Sequence, residues 1–173
     1  MMMQVLIVEN DADVATVLKD IVEIDLMHSV TGIATDLDGA IASIEACPPE
    51  LVLIDLHLAG NATGIEVAAR ARERSVPILF TTASPLPFPV PELALGCLCK
   101  PYSCYSVAQS LRIAERIINH QSVTDEIPFE LEIYGHGLNS PGAARDCETG
   151  TRLTRRSMVA PAASVGQRGS EAA

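Results

Sequence analysis

Apolar and polar positions alternate along this chain in two rhythms. Gln4-Val5-Leu6-Ile7-Val8 is a short apolar run that stops at Glu9-Asn10-Asp11. A run so bounded predicts a buried strand that delivers polar side chains to its C-terminal end. The period then changes. Val14, Val17, Leu18, Ile21 and Val22 recur at helical spacing while Lys19, Asp20 and Glu23 fall off the stripe, the pattern of an amphipathic helix. The alternation repeats. Ser29 to Ala34 predicts a second strand, and a helix capped by Asp36 or Asp38 runs through Glu45 to the stop at Pro48-Pro49. Leu51-Val52-Leu53-Ile54 predicts a third strand ending at Asp55, and a loop with Gly60 and Gly64 leads to a helix over about Ile65 to Arg74. Pro77 to Thr81 and Leu95 to Cys99 give the fourth and fifth strands, and Ser103 opens a last helix with Val107, Leu111, Ala114 and Ile118 on one face.

Five strands alternating with helices predict an α/β domain, a doubly wound parallel sheet covered on both faces, because right-handed crossovers return the chain to the same sheet. The exception is Ser84-Pro85-Leu86-Pro87-Phe88-Pro89-Val90-Pro91. Prolines at every second position lack the backbone donor a helix needs, so the fourth crossover is expected to be irregular, with any helix short and starting near Pro91. Ile127 to Tyr134 can pair briefly as an extended segment, and Ser140 to Ala173 is rich in Gly, Ala, Ser and Arg without periodicity, which predicts disorder. The expected organisation is one domain over 1–121 and a mostly disordered extension over 122–173.

Composition narrows the function. Hydrophobic residues make up 48% of 173, with no Trp and three each of Phe and Tyr, so the core is expected to be aliphatic. The formal charge is −10, and residues 1–121 hold 15 acids against 7 Lys and Arg, a field that opposes binding to nucleic-acid phosphates. Residues 122–173 carry too little apolar periodicity for a helix-turn-helix. No apolar run approaches the roughly 20 residues of a membrane span. The five cysteines, Cys47, Cys97, Cys99, Cys104 and Cys147, show neither disulfide-framework spacing nor a paired zinc motif, and are read as reduced thiols of a cytoplasmic protein.

The strand ends carry the candidate chemistry. Glu9, Asn10 and Asp11 follow the first strand, Asp55 the third, Thr82 the fourth and Lys100-Pro101 the fifth, and in such sheets ligands bind beyond the carboxyl ends of the strands. Clustered oxygen ligands suit Mg²⁺, with Mn²⁺ as a second choice. A carboxylate there can attack phosphorus while a metal and a Lys ammonium neutralise charge and a hydroxyl donates to a phosphoryl oxygen. Asp55 is then the acceptor.

In these features, across residues 3–120, the chain resembles the response-regulator receiver domains of two-component signalling. The acidic triplet, Asp55, Gly64, Thr82-Ala83 and Lys100-Pro101 are each weak marks alone; their order and spacing carry the likeness. The resemblance implies a flavodoxin-like (βα)5 receiver fold acting as a phosphorylation switch rather than an enzyme. Asp55 would take a phosphoryl group from a phosphohistidine of a sensor histidine kinase or histidine phosphotransfer protein. Metal ligands would come from Glu9, Asn10, Asp11, Asp55 and the backbone carbonyl of His57, while Thr82 and Lys100 would bind phosphoryl oxygens. Output would pass by protein contact to a downstream target. Two positions depart from the family: Asn10 stands where a ligating aspartate is usual, and Cys97 where an aromatic is common. They leave a phosphorylation-independent pseudo-receiver as the alternative. An aspartate-based metal-dependent phosphohydrolase is a weaker one, because His57 stands where that chemistry places its second acid.

Overall fold

The computed structural model describes residues 2–58, 63–84 and 86–135; Gly60 and the stretch Ser140 to Ala173, on which two expectations fall, lie outside the described residues. Strands β1 (Gln4–Val8), β2 (Ser29–Ala34), β3 (Leu51–Asp55), β4 (Ile78–Thr82), β5 (Gly96–Cys99) and β6 (Leu131–Ile133) form one sheet in the order β2-β1-β3-β4-β5-β6. The first five run parallel, and β6 pairs antiparallel with β5. The expected five-stranded, wholly parallel sheet is therefore corrected to six strands among the described residues. The sixth strand, three residues long after the last helix, lies within the Ile127 to Tyr134 segment expected to pair briefly.

Successive side chains on a strand point to opposite faces, and the core divides accordingly. Leu6, Val8, Val52, Ile54, Ile78 and Phe80 face helices α2 (Leu37–Ala46) and α3 (Gly64–Glu73), which meet them with small residues, Ala40, Ala68 and Ala71. Val5, Ile7, Leu51, Leu53, Leu79 and Leu98 face α1 (Ala12–Asp20) and α4 (Cys104–Ile118) through Ala15, Leu18, Leu111 and Ala114. Strands β1 (after its first residue), β3, β4 and β5 are buried throughout, whereas edge strand β2 is only partly so. Continuous apolar runs thus mark the central strands.

The helix ends follow the local chemistry. Asp11 accepts from the Asp13 and Val14 amides and caps α1, which runs on into a π-helical turn at Ile21–Asp25. Asp36 caps α2 through Gly39, and Ser103 caps α4 through Ser106. The fourth crossover has no helix among its described residues; beyond the proline run it makes a single turn, with Leu93 and Ala94 amides donating to the Val90 carbonyl at 2.9 and 3.1 Å. Prolines remove the donors, so the sheet face here is covered by Leu86, Val90, Leu93 and Ala94 together with Tyr134, which arrives just beyond β6 and is fully buried.

Candidate phosphoacceptor site

Three chain ends converge at the carboxyl edge of the sheet. Glu9 follows β1 and is 1% exposed, and Asp55 is the last residue of β3 and 7% exposed. Lys100 follows β5, in a cis peptide with Pro101. The Lys100 ammonium donates to Asp55 Oδ2 at 2.6 Å and to Glu9 Oε2 at 2.8 Å. Two buried carboxylates repel each other, and the cation between them offsets that repulsion. Burial by itself would lower the Lys100 pKa, but the hydrogen bonds and charges of Asp55 and Glu9 outweigh it, and the ammonium is held above its ordinary range.

The second oxygen of each carboxylate is bound locally. Asp55 Oδ1 accepts from the His57 amide at 3.0 Å, and Glu9 Oε1 accepts from the Asp11 amide at 3.2 Å. Thr82, fully buried at the end of β4, has its hydroxyl oxygen 3.3 Å from His57 Nδ1, and it accepts from the Ser84 amide at 3.2 Å. The imidazole is thus aimed at the threonine hydroxyl and lies 3.9 Å from Asp55 Oδ1. The geometry brings together Glu9, Asp55 and Lys100, with His57 and Thr82 adjoining. Asn10 is exposed, and Asp11 spends Oδ1 on the α1 N-terminus.

Gly64 explains how Asp55 can be the floor of this crevice. A Cβ there would collide with the Asp55 carbonyl oxygen and come within 2.9 Å of Ile54 Cγ2, so only glycine lets α3 start against the strand that ends in Asp55. Glu66 closes the turn by accepting from the Thr63 amide at 2.9 Å. One neighbour went unnoticed in the sequence: Tyr102, half-buried, whose phenol is pushed up by burial, an effect partly offset by the Lys100 charge. Its position two residues past the site lysine was the available signal.

A hard divalent cation requires oxygen donors. Those that converge are oxygens, the carboxylates of Glu9 and Asp55, and this chemistry fits such an ion. Among the described residues no three Asp, Glu, His or Cys side chains gather as a ligand group, so any further ligands would have to be amide, backbone or water oxygens. The expected reduced state applies to Cys47, Cys97 and Cys104, which are free; Cys99 is disulfide-bonded, a correction to the reading of all five as thiols. No helix of the described residues is long and apolar enough to cross a membrane.

A mostly parallel sheet wound on both faces, with a carboxylate, a second acid and a lysine at its carboxyl edge, defines the flavodoxin-like receiver class of α/β proteins. The response regulator receiver domain family matches residues 5–93, and the chain belongs to it. Among solved structures it is similar to the signal receiver domain of a modulated diguanylate cyclase from Desulfovibrio desulfuricans G20, at 27% identity and TM-score 0.59, covering 69% of this chain and 98% of that one. It is also similar to the anti-anti-sigma factor PhyR from Bartonella quintana, at 27% identity and TM-score 0.51 over 66% of this chain and 50% of that one. The chemotaxis response regulator CheY4 of Vibrio cholerae, at 22% identity and TM-score 0.58 over 65% and 98%, shares the fold. No curated protein matches the chain.

Proposed function

We propose that this receiver domain is a phosphorylation-dependent switch of a cytoplasmic two-component or phosphorelay system, with Asp55 as acceptor. The observation that carries the reading is the fork in which one ammonium, Lys100, reaches both Asp55 and Glu9 within 2.8 Å. A carboxylate oxygen of Asp55 forms a bond to phosphorus as the phosphorus–nitrogen bond of a partner's phosphohistidine breaks, and the leaving imidazole nitrogen takes a proton from water. Lys100 follows the charge onto the phosphoryl oxygens, and the Thr82 hydroxyl, exchanging its contact with His57, donates to one of them. Glu9 and Asp55, with Asn10 and the His57 carbonyl as neutral donors, would hold Mg²⁺, which when bound supplies further neutralisation of the transferring group. The donor is a histidine kinase or phosphotransfer protein, and the output is contact with a further protein.

Incubating the chain with acetyl phosphate and Mg²⁺ tests this. A mass gain of one phosphoryl group is expected on the wild type and none on Asp55→Asn. An adduct that persists on Asp55→Asn, or none on the wild type, defeats the assignment. Lys100→Met, which leaves Glu9 and Asp55 without their shared cation and so lowers stability, should lose at least about tenfold in phosphorylation rate in its folded form, since a charge-stabilising group of this kind contributes on that scale or more.

A further inference from the structure

Strand β5 is gripped from both sides. On the β4 side, the Lys100 amide donates to the Thr82 carbonyl at 2.7 Å. On the other, the Cys99 amide donates to the Glu130 carbonyl and the Tyr134 amide donates to the Leu95 carbonyl, each at 2.8 Å. The segment from Glu130 to Tyr134 therefore brackets β5 at both ends.

Two residues show that this contact is built into the core. A Cβ on Gly96 would collide with the Glu132 carbonyl oxygen, so β5 carries a glycine where β6 must approach. Tyr134 is among the largest fully buried side chains, packed in the same cluster as Phe80, Val90, Ala94 and Cys97, and its hydroxyl is hydrogen-bonded to the Cys97 thiol. It fills the sheet face left open by the helix-free fourth crossover. The family match ends at residue 93, so both β5 and β6 lie beyond it.

The bracket and the acceptor site share a lever. Lys100 directly follows Cys99, whose amide is the last rung to the β6 segment, and its side chain ends on Asp55 and Glu9. A phosphoryl group on Asp55 would draw the ammonium out of its fork with Glu9, and the displaced backbone would pull first on the Cys99–Glu130 hydrogen bond. We infer that Tyr134 is a positioning residue: by docking β6 it fixes the end of β5 and the reach of Lys100, so that docking of residues 130–134 and occupancy of Asp55 oppose each other. This rests on the acceptor role proposed above.

The test uses the full chain with beryllium trifluoride and Mg²⁺ as a stable phosphoryl mimic. Saturating the wild type should speed hydrogen exchange at the Cys99 and Tyr134 amides about tenfold, a usual size for coupling between sites, with no change in Asp55→Asn. Coupling is reciprocal. Tyr134→Ala and Gly96→Ala, which loosen β6 from different directions, should each bind the mimic about tenfold more tightly, while Tyr134→Phe, which keeps the ring, should stay within about twofold. A purely structural role would not make exchange at β6 depend on a ligand at Asp55. Mimic bound with exchange unchanged or slowed overturns this inference alone; no binding to the wild type overturns the acceptor role with it. Should Tyr134→Ala not fold, the wild-type exchange measurement decides.

Discussion

Cys97 stands where the family commonly carries an aromatic, and its surroundings give it a measurable signature. Burial drives the thiol from 9.0 up to about 12, with the hydrogen bond to Tyr134 offsetting part of the rise. The folded state therefore holds this proton more tightly than the unfolded state. Its stabilising effect is complete below pH 9 and is lost as the pH climbs toward about 12. One proton of difference amounts to about 1.4 kcal/mol per pH unit once the unfolded thiol has ionised. Between pH 9 and 10 the thiol alone should cost about 1 kcal/mol in urea unfolding, and the phenols of Tyr102 and Tyr134, raised by burial, add to the loss because they begin to ionise first in the unfolded chain. Cys97→Ala should lessen the loss over that interval by about 1 kcal/mol, the thiol's share, whatever its effect on absolute stability. An unchanged slope in the variant would mean that the thiol ionises as easily in the fold as out of it.

At the scale of elements, β6 is the feature that sequence reading reached least. The strands and helices of residues 4–118 were legible because each is an apolar run or stripe long enough to show its period, and Asp55, Glu9 and Lys100 because they sit where those runs end. The irregular fourth crossover, helix-free among its described residues, was legible for a different reason, since prolines remove the backbone donors whatever the tertiary context. The expectation that Ile127 to Tyr134 can pair briefly is met at Leu131–Ile133, but the sequence marks neither those three residues nor their place in the sheet. Three residues are too few for a period, and the decisive partner, Gly96, lies 36 positions away from Glu132. The expected boundary at 121 falls before β6, which pairs with β5. A chain ending at Gln121 exposes one edge of β5 and empties the space filled by Tyr134, a loss comparable to truncating a large buried aromatic, about 3–5 kcal/mol. Comparing its urea midpoint with that of the full chain by circular dichroism checks this, and equal midpoints would show that β6 contributes nothing. The placements of Asn10 and Asp11 were also beyond the sequence. The capping preference of Asp at a helix start and its use as a metal ligand draw on the same residue type, and only the geometry shows Asp11 Oδ1 bonded to the amides of α1.

Over the whole molecule, charge works against the fold that these local contacts hold. Residues 1–135 carry 19 Asp and Glu against 7 Lys and Arg, a net −12. The exposed ion pairs do little to offset this. Lys19–Glu23 at 3.9 Å and Arg70–Glu73 at 3.7 Å are open to water, where such pairs contribute roughly 0–1 kcal/mol. The Lys100 fork, by contrast, is largely shielded, and salt weakens it far less than it weakens repulsion spread across the surface. Raising NaCl from about 0.01 M to about 1 M shortens the screening length from roughly 30 Å to roughly 3 Å, so it should relieve the repulsion while sparing the site. The urea midpoint is expected to rise with an unchanged denaturant slope, corresponding to about 1 kcal/mol or more. A falling midpoint would mean that attractive surface pairs outweigh the excess of acids. The same field bears on the proposed partner: a phosphohistidine protein approaching Asp55 meets a chain of net negative charge. A partner with a basic docking face is therefore favoured, and the rate of phosphotransfer to Asp55 should fall as salt screens that attraction.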